Sequence, residues 1–394
     1  MKNKKILIIL SVLALICVVG VCLFLNNNNN KTNSKNINKD NYQEKDFEDY
    51  TITEEGTYTL TGEINDTIII NTDGSVKLVF DGVTIKTSNG PAIYVENADS
   101  VLIYLNDGTT NTVEDSKAYS GFDDDIKATI FSKDDLVFDG TGTLIVKANY
   151  EDGIVSKDDL KFINGTYEIT ATDDAIRGKD SVYIIDGNFT INAGGDGIKS
   201  SNDTDTEKGF VLIEGGTFKI TSKSDGIQAI TKLVINGGNF EISSSEGLEA
   251  TYVVINDGTI KIEASDDGIN ASKKSTFMTP TIEINGGNIT VNMGQGDTDA
   301  LDANGNLYIN GGTINITAQS PFDYDNEGKL NGGEVTVNGE KVTELTNQMM
   351  GGGMRGGGQN MQGEPQNVPE GNPGMQEGNM QVRSEKNINK NRTQ

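Results

Sequence analysis

Residues 211–249 read VLIEGGTFKITSKSDGIQAITKLVINGGNFEISSSEGLE. One phrase occurs in it twice, as Ile213-Glu214-Gly215-Gly216-Thr217-Phe218 and as Ile235-Asn236-Gly237-Gly238-Asn239-Phe240. Each copy runs on into an apolar/polar alternation, Phe218-Lys219-Ile220-Thr221 and Phe240-Glu241-Ile242-Ser243, the pattern of a strand with one buried face. The glycines between supply the positive φ that a sharp corner requires. Drifted copies begin at Ile163, Ile185, Ile255, Ile284, Ile309 and Leu330, with earlier variants at Phe80 and Phe138. The base period is 20–22 residues, lengthened in places by short insertions.

Short strands, glycine corners and a period near 22 residues predict an all-β fold, a right-handed single-stranded parallel β-helix, or solenoid, over residues 47–345. Each coil stacks its inward Ile, Val and Phe on the next and cannot stand alone. Residues 50–61 lack the full phrase and are expected to cap the stack. Residues 106–135, rich in Asp, are expected to form one long side loop.

A second, acidic phrase keeps the same period. Its copies carry Asp152, Asp173 and Asp174, Asp196, Asp225, Glu246, Asp266 and Asp267, then Asp297, Asp299 and Asp302, and Asp123-Asp124-Asp125-Ile126 reads as an earlier member. Equal phase in a β-helix means vertical stacking, so these carboxylates are expected to form a column with neighbours roughly 5 Å apart. Like charges so close repel by about 1 kcal/mol even in water. Ca2+, which takes six to eight oxygen ligands, would relieve them. The alternative is a solvated acidic edge whose Asp-Gly pairs serve only as turns.

Outside the repeat, the chain begins with Lys residues and an apolar run from Ile6 to Leu25. Twenty such residues suffice for one N-terminal transmembrane helix, and the preceding lysines place the bulk of the chain outside the membrane. The expected location is therefore the bacterial cell envelope, extracytoplasmic, with residues 1–25 as anchor; a cleaved signal peptide is the rival reading. Residues 26–46 read as a polar linker. Residues 346–394, rich in Gly, Met and Gln, read as a disordered tail.

Composition narrows the chemistry. The chain has 394 residues, 32 Lys+Arg against 58 Asp+Glu, a formal charge of −26, no His, no Trp and 2 Cys. That charge argues against a nucleic-acid partner. The lack of His excludes Ser-His-Asp and Cys-His catalysis and any His-ligated zinc. Both Cys lie in the apolar run, so the remainder carries no disulfide.

The alternation of Asp196-Gly197-Ile198-Lys199-Ser200, Asp225-Gly226-Ile227-Gln228-Ala229 and Asp266-Asp267-Gly268-Ile269-Asn270-Ala271 with the Ile-Asn-Gly-Gly phrase resembles the clostridial carbohydrate-binding domain-containing family. The resemblance covers roughly residues 50–345. It implies an extracellular, calcium-containing right-handed β-helix that binds plant-wall polysaccharide, including acidic pectin-type chains. Glu246-Gly247-Leu248-Glu249 and Pro321-Phe322-Asp323 depart from the pattern.

The leading functional expectation is a surface-anchored, non-catalytic polysaccharide-binding protein, with acidic sugars bridged through calcium because the chain itself is a polyanion. Exposed aromatics would stack on sugar rings, with Tyr119, Phe122 and Tyr150 as candidates and Arg177 and Lys199 as charged contacts. A calcium-dependent polysaccharide lyase, with Arg177 as base, is the alternative. A structural surface spacer or adhesin is a third.

Overall fold

The computed structural model describes residues 50–294 and 298–347. Among them every regular element is a β-strand. The local cause is the alternation itself: Thr217–Ser222, Asn239–Ser244 and Thr259–Ala264 each alternate exposed and buried residues along their length. The buried positions hold Phe, Ile and Ala, whose side chains fit a pleated, half-buried surface.

Each coil contributes one strand to each of three parallel ladders. Face one is a twelve-stranded sheet running from Thr51–Ile52 to Ser320–Tyr324. Faces two and three together hold twenty-three strands. Face two includes Leu136–Gly140, Asp159–Phe162 and Ser181–Ile184. Face three includes Thr143–Ala148, Thr166–Ala171 and Asn188–Ala193. The long strand Ser75–Lys86 joins them, pairing with Ser100–Leu105 in one half and Thr110–Glu114 in the other.

Register is held from inside. On face one, Ile154, Ile176, Ile198, Ile227, Leu248, Ile269 and Leu301 are each fully buried and lie in register, one per coil. Burying such a side chain is worth about 1.5–3 kcal/mol, so a slip by one residue, which turns the whole row outward, is strongly disfavoured. On face three, Tyr167, Phe189, Phe218 and Phe240 stack with ring centroids 4.8, 4.9 and 4.5 Å apart.

The Asn of the Ile-Asn-Gly-Gly phrase builds an external counterpart. Asn331, Asn310, Asn285 and Asn256 each donate a side-chain amide N–H to the Oδ1 of the Asn one coil earlier, at 2.8, 2.8, 2.9 and 2.7 Å. The series ends at Asn236, which donates to Glu214 Oε2 at 2.9 Å. Every donor points the same way, and a carboxylate, which can only accept, closes the row. The second glycine is needed beside it: Gly238 has φ 107°, and a Cβ there would come within 2.9 Å of the Gly216 carbonyl oxygen.

At the C-terminal end, Glu340–Val342 folds back antiparallel on Glu334–Val337. The turn is Asn338-Gly339, with φ 51° and 84°, the hairpin chemistry of two left-handed residues. This closes one edge of the stack.

Three sequence expectations are corrected. The described residues contain no helix, and none long and apolar enough to cross a membrane, so the fold is all-β with no transmembrane helix among them. Residues 6–25, the linker and the tail from residue 348 lie outside the described residues. The loop expected over 106–135 contains the strands Thr110–Glu114 and Ala128–Ser132, because alternating Asn111 and Val113 and the apolar run at 128–131 both pair, and only 115–127 forms an insertion. Asp124 is not an early member of the acidic column, since Ala128 occupies that register opposite Asp152. Two further insertions, 201–209 and 272–280, sit at the corner between faces one and two.

The one-way Asn row predicts a coupling. Asn285→Asp faces an acceptor toward Asn256 and, on this exposed row, is expected to destabilise by up to about 1 kcal/mol, more than Asn285→Ala. In a Glu214→Gln background the lower amides can reverse, and the Asp cost should fall. Urea unfolding of the double-mutant cycle measures this; additivity within about 0.5 kcal/mol would show the row has no fixed direction.

Candidate functional site

Face one is built on a four-position rule. The Asp or Glu two residues before each inward Ile or Leu forms one column, and the residue after that Ile or Leu forms a second, outward column. The Gly between is obligatory at Gly226, where a Cβ would meet the Gly247 carbonyl oxygen at 2.5 Å.

In the acidic column one oxygen of each of four aspartates has a backbone task. Asp152 Oδ1 accepts the Asp174 N–H at 3.1 Å, Asp174 Oδ1 that of Asp196 at 2.8 Å, and Asp196 Oδ1 that of Asp225 at 3.0 Å. Asp267 Oδ1 accepts from Asp299 at 3.2 Å. The second oxygen meets the outward column. Arg177 pairs with Asp152. Lys199 lies 2.6 Å from Asp196 and 3.5 Å from Asp174. Gln228 donates to Asp225, and to Glu249 Oε2 at 3.0 Å. Asn270 donates to Glu246 and Asp267, each at 3.1 Å.

Read coil by coil, the outward column is Tyr94, Phe131, Val155, Arg177, Lys199, Gln228, Glu249, Asn270, Asp302 and Asp323. It grades from aromatic through cationic to acidic. The acidic end has the densest oxygen set: Asp225, Glu246 and Glu249 bring carboxylate oxygens within 4.8 Å of one another. Lys274 and Ser272 hold Glu249 at 2.5 and 2.7 Å. Asn270, 7 % exposed, spends its amine on two carboxylates, and its Oδ1 has no hydrogen-bond partner among the described residues; nor does the buried Asp323 Oδ1.

Burial drives the carboxyls upward. Asp152 rises to about 7 through burial, even with Arg177 opposing it. Glu246 and Asp302 reach about 7 and Asp267 about 6, burial first and neighbouring carboxylates next. Asp174 and Asp225 are raised for the same reasons. For the Lys199 ammonium, burial pulls down, but Asp174 and Asp196 outweigh it and hold it above its ordinary value.

The aromatic end opens into a hollow of about 290 Å³ lined by Tyr119, Phe122, Asp123, Asp124, Lys127 and Tyr150, among others. Tyr119 and Tyr150 stack, centroids 4.5 Å apart. Phe122 lies 6.0 Å from Tyr119 and edge-on to Tyr94 at 6.1 Å. Phe122 also covers Gly90, where any Cβ would overlap its ring. The Tyr119 hydroxyl is anchored, donating to the buried Asp115 carboxylate at 2.7 Å. Insertion 115–127 thus carries rings onto the corner beside face one.

The structure brings together most of the residues named from sequence. Asp152, Asp174, Asp196, Asp225, Glu246, Asp267 and Asp299 share the acidic column, and Asp302 joins the outward one. Asp173 and Asp266 lie exposed on the preceding turns, outside the column. Asp297 is outside the described residues. Tyr119, Phe122 and Tyr150 converge, and Arg177 and Lys199 adjoin one another on neighbouring coils. The departures at Glu246–Glu249 and Pro321–Asp323 keep the register. Tyr94, Phe131, Gln228, Glu249, Asn270 and Asp323 were missed; their signal was the fixed position three residues after each column acid, or its equivalent in coils without one.

Comparison with known proteins adds identity to this geometry. A family model described as "Carbohydrate-binding domain-containing protein" matches residues 46–298 and 247–360. A carbohydrate-binding domain-containing protein of Acetivibrio thermocellus is 38% identical over 93 residues, 23% of this chain and 32% of that protein, so the alignment spans about a third of the relative. A solved structure titled as a polysaccharide lyase-like protein from C. thermocellum, a gadolinium derivative, is similar at 35% identity, over 54% of this chain and 86% of that one, with a TM-score of 0.49. On the extent of the family match, the chain belongs to the carbohydrate-binding domain-containing proteins.

Proposed function

We propose that the protein is a non-catalytic polysaccharide receptor that holds an extended chain, acidic sugars included, along face one. The observation that carries this reading is the convergence of Tyr119, Phe122 and Tyr150 on one hollow at the aromatic end of the graded column, next to its cationic stretch. An aromatic face matches the C–H face of a pyranose, and Lys127, Arg177 and Lys199 offer donors to hydroxyls or carboxylates. Such a polymer is met outside the cytoplasm, so an extracytoplasmic location goes with this reading.

At the acidic end, Ca2+ is the proposed bridge. Asp225, Glu246, Glu249, Asn270, Asp302 and Asp323 bring hard oxygen acceptors, the donor set calcium prefers, although Lys274 and Gln228 already share Glu249 and the Asn270 amine bonds Glu246 and Asp267. Asn270 and Asp323 flank Asp302 on the coils to either side, and each keeps one buried oxygen without a partner among the described residues, an available ligand for an ion beside Asp302 on its own side. The ion would neutralise the column and give uronates a cationic contact on a polyanionic protein.

A lyase needs a base that is deprotonated at work. A guanidinium keeps its proton under working conditions, and Arg177 is committed to Asp152. Lys199 is held in its charged form. Both observations support binding without bond cleavage.

Isothermal titration of polygalacturonate with calcium or chelator, alongside ultraviolet detection of unsaturated uronate, tests the reading. Calcium-dependent binding without new absorbance is expected; new absorbance, or no binding, overturns it. Tyr150→Ala should weaken binding about tenfold, near 1.4 kcal/mol, with Tyr150→Phe close to wild type. Tyr119 is the poorer probe, because its loss also removes the hydroxyl that donates to Oδ2 of the buried Asp115.

Stability should depend on pH in a definite sense. Asp152 and Asp302 rise from 3.8 to about 7 on folding. Raised carboxyls stabilise the fold at low pH, and that contribution is lost as pH climbs from about 4 through 7. The melting temperature of chelated protein should therefore fall across this window. Calcium should restore it, more at the alkaline end; a calcium effect independent of pH would exclude the column as its site.

A further inference from the structure

Insertion 272–280 leaves face one at the corner opposite the aromatic hollow, and nothing above uses it. It presents Phe277 half exposed, at 50%; the only other large hydrophobic so exposed among the described residues is Tyr50. The ring borders an open hollow of about 410 Å³ that also includes Lys273, Met278, Asn304 and Asn326.

The loop is held rigidly. The Ser275 N–H donates to the buried Thr251 Oγ1 at 2.7 Å. The Pro280 carbonyl accepts from the Asn306 N–H at 3.0 Å, and the Gly305 carbonyl accepts from the Asn326 N–H at 2.7 Å. Gly305 must lack a side chain, since a Cβ there would overlap the Pro280 carbonyl. Asn304 and Asn326, both exposed, stand on successive coils beside the ring. These bonds tie both ends of the insertion to the stack, and the half-exposed Phe277 ring between them keeps a face to solvent.

The chemistry of this hollow parallels that of the Tyr119–Tyr150 hollow. A ring face takes C–H groups, two side-chain amides take neighbouring hydroxyls, and an ammonium takes a carboxylate or ring oxygen. Six parallel strand pairings of face one separate the coil after Tyr119 from the coil before Phe277. At about 4.8 Å each, that is roughly 29 Å. Because the hollows stand at opposite corners of face one, a chain that engages both runs obliquely past Arg177, Lys199 and Gln228, so at an advance per sugar on the order of one strand spacing it needs more than six sugars.

We propose that the Phe277 hollow is a second pyranose-binding subsite, and that one polysaccharide chain engages it together with the Tyr119–Tyr150 hollow. The proposal rests on the polysaccharide-binding reading above. Its consequence is avidity: the second contact becomes intramolecular once the ligand spans the gap, and ligands too short to span it bind each hollow independently.

The chain has no Trp, so Phe277→Trp installs a sole indole reporter at the subsite. In the full chain with calcium, polygalacturonate should shift its emission, and tetragalacturonate should do so more weakly. Phe277→Ala should weaken polymer binding about tenfold while reducing tetramer stoichiometry from two to one at unchanged affinity. Tyr150→Ala should leave the indole response to tetramer intact. Polymer that binds wild-type protein, yet leaves both the indole and the Phe277→Ala affinity unchanged, overturns the subsite alone. Wild-type protein that binds neither probe overturns the polysaccharide reading and the subsite with it. Melting temperatures of the variants confirm folding; Phe277 is half exposed on a loop, so neither substitution should lower them by more than a few degrees.

Discussion

The register lock of the inward Ile and Leu row on face one determines most of what surrounds it. Once those side chains stack coil on coil, every residue of equal phase stands about 4.8 Å from its equivalents. That spacing suits aromatic rings, which stack along face three, and it suits amides, which run in a one-way row from Asn331 to Glu214. For carboxylates it is costly, and the fold meets that cost in a particular way. At Asp152, Asp174, Asp196 and Asp267 one oxygen satisfies a backbone N–H on the next coil, and the other meets a donor projecting beside it.

This solution changes along the stack. At Asp152, Asp174 and Asp196 the donors are Arg177 and Lys199, two cations against three carboxylates. At Asp225 and Asp267 they are the amides of Gln228 and Asn270, which satisfy hydrogen bonds without supplying charge. At Asp302 and Asp323 the outward position is itself acidic. Burial raises the carboxyls in both halves, to about 7 at Asp152 beside Arg177 and to about 7 at Asp302 among other acids. The same backbone plan yields a cationic half and an acceptor-rich half on one face, so a single polymer lying along it meets two kinds of contact.

The repeat made the coils legible, because a period near 22 residues with alternating strands admits few other folds. The acidic column was legible too, since phase alone predicts stacking. What phase could not reveal was which of two adjacent acids enters the column. Asp174 and Asp267 do so because they sit two residues before the inward Ile, and Asp173 and Asp266 fall on the turn. Asp124 fails the same rule: its insertion is anchored by Tyr119 and Phe122, and Ala128 takes the register. The outward column escaped notice because its members share no residue type. Tyr94, Phe131, Lys199 and Asn270 look unrelated in sequence and become one row only when the coils are superposed.

The Asp-Gly-Ile phrase also carries two demands that pull against each other. A carboxylate that caps the backbone of the next coil is most useful when it is rigid and dry, whereas its charge must be answered from outside the strand. The column satisfies both because a carboxylate has two oxygens on opposite sides of one carbon. Oδ1 faces the neighbouring strand's N–H, and Oδ2 faces the outward row. Substituting Asn at such a position keeps the backbone acceptor and removes the charge, so fold and electrostatics are separable there. The face can thus change its outward residues from coil to coil, from Arg177 to Asp302, without disturbing the hydrogen bonds that hold the coils in register.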